Sequence, residues 1–362
     1  MNILGVDHVE MFVGDARQSA YYLCTAFGFR ICGQGGPETG IAGQRSLLLA
    51  QRDARVVLTS GLYPQDPASE YVAKHGDGVA VIAFEVTSVR DVFAEAVAKG
   101  ATAISPPAIH ERGDERVITA TVSGFGDVVH RLVERGGPGE EFLPGTIDMI
   151  APDPEKSDEL LGLIDHAAIC VPYGELEPTV KFYEEAFGFT EIFREYIEIG
   201  EQGMDSRVVQ SPSGGVTFTI IEPDPHRRPG QIDDFLHWHS GAGVQHVAFA
   251  TDDILTAVRT FSEHGVAFGQ TPSSYYDVLE DRVGPLHVPV DTLRQLGVLV
   301  DHDHWGQMFQ IFTQSMHVRR TLFLELIERH GAKTFGSSNI RALYEAKERE
   351  LGGLREITEA PA

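Results

Sequence analysis

Apolar positions along this chain follow two periods, and the alternation between them recurs. Residues 9–13 form a short apolar run that reads as a strand, and 16–27 form an aromatic-rich helix stopped by Gly28. Residues 46–59 predict two strands about a polar turn. A second unit follows, with a strand over 78–86, a helix over 88–99 closed by Gly100, and strands over 117–123 and 128–134. The second half repeats this order at 167–171, 177–187, 206–210 and 216–221, then at 244–250, 253–264, 308–312 and 321–327. The pattern predicts an α+β fold of four βαβββ modules, paired into two open, barrel-like domains.

The wording repeats as well as the pattern. Val6-Asp7-His8-Val9 matches Ile164-Asp165-His166-Ala167, and Ala26-Phe27-Gly28-Phe29 matches Ala186-Phe187-Gly188-Phe189. Gly76-Asp77-Gly78-Val79-Ala80-Val81 matches Gly241-Ala242-Gly243-Val244-Gln245-His246, and Arg131-Leu132-Val133-Glu134-Arg135-Gly136 matches Glu325-Leu326-Ile327-Glu328-Arg329-His330. Aligned, these phrases set His8, Val81 and Arg131 against His166, His246 and Glu325. Two imidazoles and a carboxylate are the donor set of a non-haem Fe(II) site with open positions; an imidazole, a valine and an arginine bind no metal. A lone histidine is more often structural than a ligand. Here both histidines lie on apolar strands, where a buried imidazole needs a partner, and Glu325 interrupts an apolar strand, where a carboxylate must be paired or metal-bound.

The halves divide as 1–136, an N-terminal domain without a working metal site; 137–159, a linker with four prolines; and 160–362, a C-terminal catalytic domain. Only the second half carries an insertion at 273–298, with Tyr275-Tyr276, and a glycine loop and polar helix at 331–351. These predict a lid or wall over the site, or a helix that merely packs. Asp301-His302-Asp303-His304 is a rival metal cluster, but it is polar throughout and runs into a turn. His237 and His239, beside Trp238, read as an amphipathic surface.

Composition narrows the classes. A length of 362 residues fits two domains, and 42% hydrophobic with 23% charged residues is ordinary for a soluble protein. A formal charge of −24 argues against nucleic acid and anionic membranes. Three cysteines, Cys24, Cys32 and Cys170, fit free thiols in a reducing compartment. With no signal peptide or apolar span in view, the expectation is cytoplasmic.

Several phrases are longer than this pattern requires: Gly241 to His246, Gly306-Gln307-Met308-Phe309-Gln310-Ile311-Phe312-Thr313, Phe323-Leu324-Glu325-Leu326-Ile327-Glu328-Arg329, and Phe335-Gly336-Ser337-Ser338-Asn339-Ile340-Arg341-Ala342-Leu343-Tyr344. Together they resemble the vicinal oxygen chelate superfamily and, within it, the family of 4-hydroxyphenylpyruvate dioxygenases and 4-hydroxymandelate synthases, over nearly the whole chain. The resemblance implies Fe(II) on His166, His246 and Glu325. It implies a pocket for 4-hydroxyphenylpyruvate at Ser206, Gln231, Gln245, Gln310, Phe312, Phe323, Phe335 and Asn339, with O2 as co-substrate. It further implies a homodimer and supply of 4-hydroxyphenylglycine for peptide antibiotics.

Two departures choose within the family. The dioxygenase pattern Pro-x-Asn-Glu-Pro reads here Thr219-Ile220-Ile221-Glu222-Pro223, and its Gly-Asn-Phe reads Ser338-Asn339-Ile340. Both resemble the mandelate-forming version, so Thr219, Ile221 and Ile340 join the pocket positions. The expected reaction is decarboxylation with benzylic hydroxylation to 4-hydroxymandelate; the alternative is ring attack to homogentisate. An extradiol catechol dioxygenase shares the donor set but its phrases are missing here, and a metal-free binding protein would not need the triad.

Overall fold

The computed structural model describes residues 1–151, 159–336, 338–339 and 341–342. The first half runs β1 (Ile3–Phe12), α1 (Ala16–Phe27), β2 (Arg30–Gly35), β3 (Gln44–Gln51), β4 (Ala54–Gly61), α2 (Pro67–His75), β5 (Gly78–Val86), α3 (Val89–Ala98), β6 (Ala103–Arg112), β7 (Glu115–Ser123), β8 (Val129–Gly136) and β9 (Asp148–Met149). The second runs β10 (Ile164–Cys170), α4 (Leu176–Phe187), β11 (Thr190–Ile199), β12 (Gln202–Gln210), β13 (Thr217–Pro223), α5 (Gln231–His239), β14 (Gly243–Ala250) and α6 (Ile254–Glu263). It continues through α7 (Ser273–Tyr276), α8 (Leu279–Val283), α9 (Val290–Leu296), β15 (Leu299–His302), β16 (Gln307–Phe312) and β17 (Phe323–His330).

Two curled sheets result, ordered β6-β7-β8-β5-β1-β4-β3-β2-β9 and β11-β12-β13-β10-β14-β17-β16-β15. Each is two βαβββ modules joined through their first strands, β1 with β5 and β10 with β14, both antiparallel. The stretch between the halves is not free-standing up to residue 151. β9 pairs with β2, and Phe142 and Ile147 are buried against Leu48 and Val57. The helix expected late in 331–351 falls largely outside the described residues. The insertion forms α7, α8 and α9.

The repeated Ala-Phe-Gly-Phe phrase has a physical reason. Gly28 and Gly188 end α1 and α4 in the left-handed region, at φ 73° and 69°. Phe29 N–H then reaches back to Leu23 O, and Phe189 N–H to Tyr183 O, closing each helix in a Schellman turn. The flanking phenylalanines are buried across the boundary between halves. Phe27 packs edge-on to Phe261 and Phe29 to Phe249, while Phe187 meets Phe84. The first module of each half thus seals the second module of the other, and one core spans both. Each such ring contributes roughly 2–3 kcal/mol of burial, which holds the two sheets as one unit.

Candidate metal centre

Register defines the concave face of the second sheet. His166, Ala248, Glu325 and Phe312 form one cross-strand row. Phe323, His246, Ala168, Thr219 and Val208 form the next. Cys170, Ile221, Ser206 and Glu195 form a third. Side chains in such rows share a face, and alternate residues along each strand stay on it. The alanines between the ligands, Ala168 and Ala248, keep the floor shallow.

The triad converges there. His166 Nε2 and His246 Nε2 each lie 3.3 Å from Glu325 Oε2, and the three residues are 3, 9 and 2% exposed. Cis ligands on an ion held at ~2.1 Å stand ~3 Å apart, so the spacing suits a single ion. Burial pushes the Glu325 carboxyl up, but the two imidazoles outweigh it and hold its pKa below the usual value. Burial pulls His166 down, yet Glu325 and Asp165 raise it to about 9. His246 is lowered by burial, only partly countered by Glu325. A buried carboxylate shared by two imidazoles is satisfied by a divalent cation.

Two β-bulges aim the histidines. β10 and β14 slip register between Ile164 and His166, and again between Ala168 and Ile169, leaving Asp165 and Gln245 as the extra residues. Asp165 Oδ1 accepts from His166 Nδ1 at 2.8 Å, and Gln245 Oε1 accepts from His246 Nδ1 at 3.3 Å. Both Nε2 atoms are thereby left for a metal. Arg329 in turn grips Asp165 with two bonds of 2.8 Å and lies over Phe335 at 5.1 Å. Neither Asp165 nor Arg329 was singled out from the sequence. Their recurrence as Asp7 and Arg135 was the available signal.

The walls are aromatic and aliphatic. Phe335 meets His166 edge-on, and Phe323 stacks on His246 with Phe312 beside it. Ile221 belongs to an apolar group with Cys170, Ile197, Met204, Ile232 and Phe235, of which only Ile221 was anticipated. Thr219 Oγ1, Gln310 Oε1 and Asn339 Nδ2 are buried without a partner among the described residues, each a cost of about 1–3 kcal/mol that a bound polar ligand would relieve. Asn339 Oδ1 is already used by Tyr275 and Arg282 of the insertion. Ser206 is buried beside Ile221, whereas Gln231 is exposed at the start of α5. Ile340 lies outside the described residues.

The rival clusters have structural duties. Asp303 receives the N–H groups of Trp305, Gly306, Lys333 and Thr334, while Asp301 receives those of His302 and the Ser338 hydroxyl. His302 and His304 are exposed. His239 is buried rather than superficial, stacked between His75 and Phe235.

The first half shows how a site of this kind is closed. Asp7 and Arg135 still brace His8, with bonds of 2.6 to 2.7 Å. Arg131, in the register place of Glu325, lies 3.4 Å from His8 Nε2 and donates to Glu10 at 2.7 Å. Glu10 pairs with Val81 as Ala168 pairs with His246. An arginine–glutamate pair therefore fills the space that small residues leave open in the second half.

Comparison with known proteins agrees with this geometry. The Glyoxalase/Bleomycin resistance protein/Dioxygenase superfamily model matches residues 5–127 and 163–279. A 4-hydroxyphenylpyruvate dioxygenase of Aspergillus fumigatus is 34% identical over 96% of this chain and 92% of its own length. That of Dictyostelium discoideum is 34% identical over 96% and 98%. The solved structure of a triple mutant of 4-hydroxymandelate synthase from Streptomyces coelicolor superposes with a TM-score of 0.87 at 43% identity, covering 97% of this chain and 99% of that one. The duplicated modules, the register of the triad and these full-length matches place the chain in the vicinal oxygen chelate superfamily, as a member of the family of 4-hydroxyphenylpyruvate dioxygenases and 4-hydroxymandelate synthases.

Proposed function

We propose that this chain converts 4-hydroxyphenylpyruvate and O2 to 4-hydroxymandelate and CO2. Fe(II) held by His166, His246 and Glu325 would supply the oxidising chemistry, with the substrate's own 2-oxo acid as the electron source. The protein's part is positioning. Asp165 and Gln245 fix the two imidazoles, and Phe312, Phe323 and Phe335 exclude water and confine the ring. Thr219, Gln310 and Asn339 offer polar atoms, unpaired among the described residues, to the substrate's phenol and acid oxygens.

The observation that carries the choice of product is Ile221. It sits on the concave face, two residues along β13 from Thr219, in an apolar group where the dioxygenase pattern has an amide. The benzylic and ring carbons of the substrate are adjacent, so a small rotation decides which is oxidised. A barrier difference of about 3 kcal/mol gives a ratio of roughly a hundred, and exchanging a polar contact for an apolar wall is enough to supply it. Identity supports the same reading, at 43% to the mandelate synthase structure against 33 to 35% for the dioxygenases. Those dioxygenase relatives keep homogentisate as the second reading.

The test is incubation with Fe(II), O2 and 4-hydroxyphenylpyruvate. The two products are isomers, so they are separated by chromatography and assigned by NMR. A benzylic alcohol is expected; homogentisate as the main product would reverse the assignment.

A further inference from the structure

β17 presents a second set of metal donors on its other face. Glu325 and Ile327 face the concave side, so Glu328 and His330 face outward. His287, from the insertion between α8 and α9, comes to meet them. Ligand atoms of His287, Glu328 and His330 all lie within 4.8 Å of one another.

His287 and His330 are exposed and Glu328 is half-buried, yet the three are held by packing and hydrogen bonds. The His287 and His330 rings are 4.5 Å apart, and both pack edge-on against the buried Phe309 ring, at 5.0 and 5.5 Å. His330 Nε2 is hydrogen-bonded to Glu328 Oε1. Gln307 Nε2 donates to the carbonyls of Val283 and Pro285, tethering the chain just ahead of His287.

The duplication again supplies a control. Glu328 Oε2 accepts the N–H of Ile254 at the start of α6, and its counterpart Glu134 accepts that of Val89 at the start of α3. The carboxylate therefore has a structural duty in both halves. In the first half the place of His330 is taken by Gly136, and there is no counterpart of the 273–298 insertion to supply an imidazole. Both imidazoles occur only in the half that carries the triad.

We propose that His287, Glu328 and His330 form a second divalent-metal site, on the outer face of the second sheet, for an ion of the Zn2+ or Ni2+ type. Two imidazoles and a carboxylate suit those ions, with water completing the coordination. The ion takes the place of the His330–Glu328 hydrogen bond and ties the insertion to β17. This inference does not depend on which product the enzyme makes.

The test uses the full chain in a Glu325→Ala background, which removes the catalytic site, and titrates Zn2+ and Ni2+ by calorimetry with thermal unfolding in parallel. One ion per chain and a raised Tm are expected. Adding His287→Ala or His330→Ala should weaken binding by more than the roughly 10- to 100-fold that loss of an outer partner costs, and abolish the Tm shift. Circular dichroism checks that each variant folds, and His287→Gln provides a milder version. Unchanged stoichiometry and affinity in both histidine variants, or binding only at millimolar metal, would overturn the proposal. In the otherwise unaltered protein, His287→Ala should keep Fe(II)-dependent turnover.

Discussion

The Asp165–Arg329 brace exists twice, which allows its effect on metal binding to be separated from its effect on folding. Asp165→Asn keeps the shape of the side chain but removes the charge that His166 Nδ1 and the Arg329 guanidinium share. Asp7→Asn does the same to His8 and Arg135. Both arginine side chains are about one-fifth exposed, at 22% and 20%. Breaking a fully buried pair costs 3–5 kcal/mol, so each substitution should cost about 2–4 kcal/mol once partial solvation is allowed for. Both carboxyls sit well below the usual carboxylate range; burial pushes them up, but the histidine and arginine partners prevail. The stability they supply is present above the unfolded carboxyl pKa and is lost as pH falls through the folded value. The penalty should therefore be full at pH 7 and shrink below about pH 4. Metal affinity should divide the two variants. Asp165→Asn should weaken anaerobic Fe(II) binding ~10- to 100-fold, measured by competition with a chromogenic chelator, while Asp7→Asn should leave it unchanged. Equal loss of affinity in both variants, or none in Asp165→Asn, would refute the positioning argument.

Other consequences are as specific. His130 is buried between the halves, bonded to Tyr183, and burial lowers its pKa to about 4. It is neutral when folded, so its contribution is intact above about pH 6.5 and lost as pH falls toward 4. His130 alone should account for about 2 kcal/mol of the stability lost in urea unfolding between pH 7 and pH 5, and His130→Gln should shrink the loss by that amount without abolishing it, because buried His239 is also lowered to about 4. Gly336 has φ 72°, and a Cβ there would collide with the Gln310 amide. Gly336→Ala should cost about 1–2 kcal/mol and raise KM, read from thermal unfolding and steady-state kinetics. Ile221→Asn and Ile340→Phe should each move product from 4-hydroxymandelate toward homogentisate, and an unchanged split in chromatography would show that neither position steers.

Much of this was legible because the gene repeats itself. Strand and helix periods gave the module order, and matching phrases isolated His166, His246 and Glu325. Period-two reading also puts Thr219 and Ile221, or Gln310 and Phe312, on one face. It fails at a bulge, where one extra residue rotates onto the same side; this hid the role of Asp165. β6 escaped because its Ser105-Pro106-Pro107 stretch is an exposed edge, where prolines are tolerated and no apolar alternation is needed. α2 and α5 are short and polar on their outer faces, so their inward residues, Tyr71, Ile232 and Phe235, left too weak a pattern to read. Glu10 was invisible for another reason: its partner, Arg131, is 121 residues away.

The account rests on one iron at the His166, His246 and Glu325 triad of the second half and none at the matching place in the first. Anomalous diffraction at the iron edge from crystals loaded anaerobically with Fe(II) tests this most directly. A peak is predicted among His166 Nε2, His246 Nε2 and Glu325 Oε2, with none beside His8 and Arg131. No iron at the triad, or equal peaks in both halves, would contradict it.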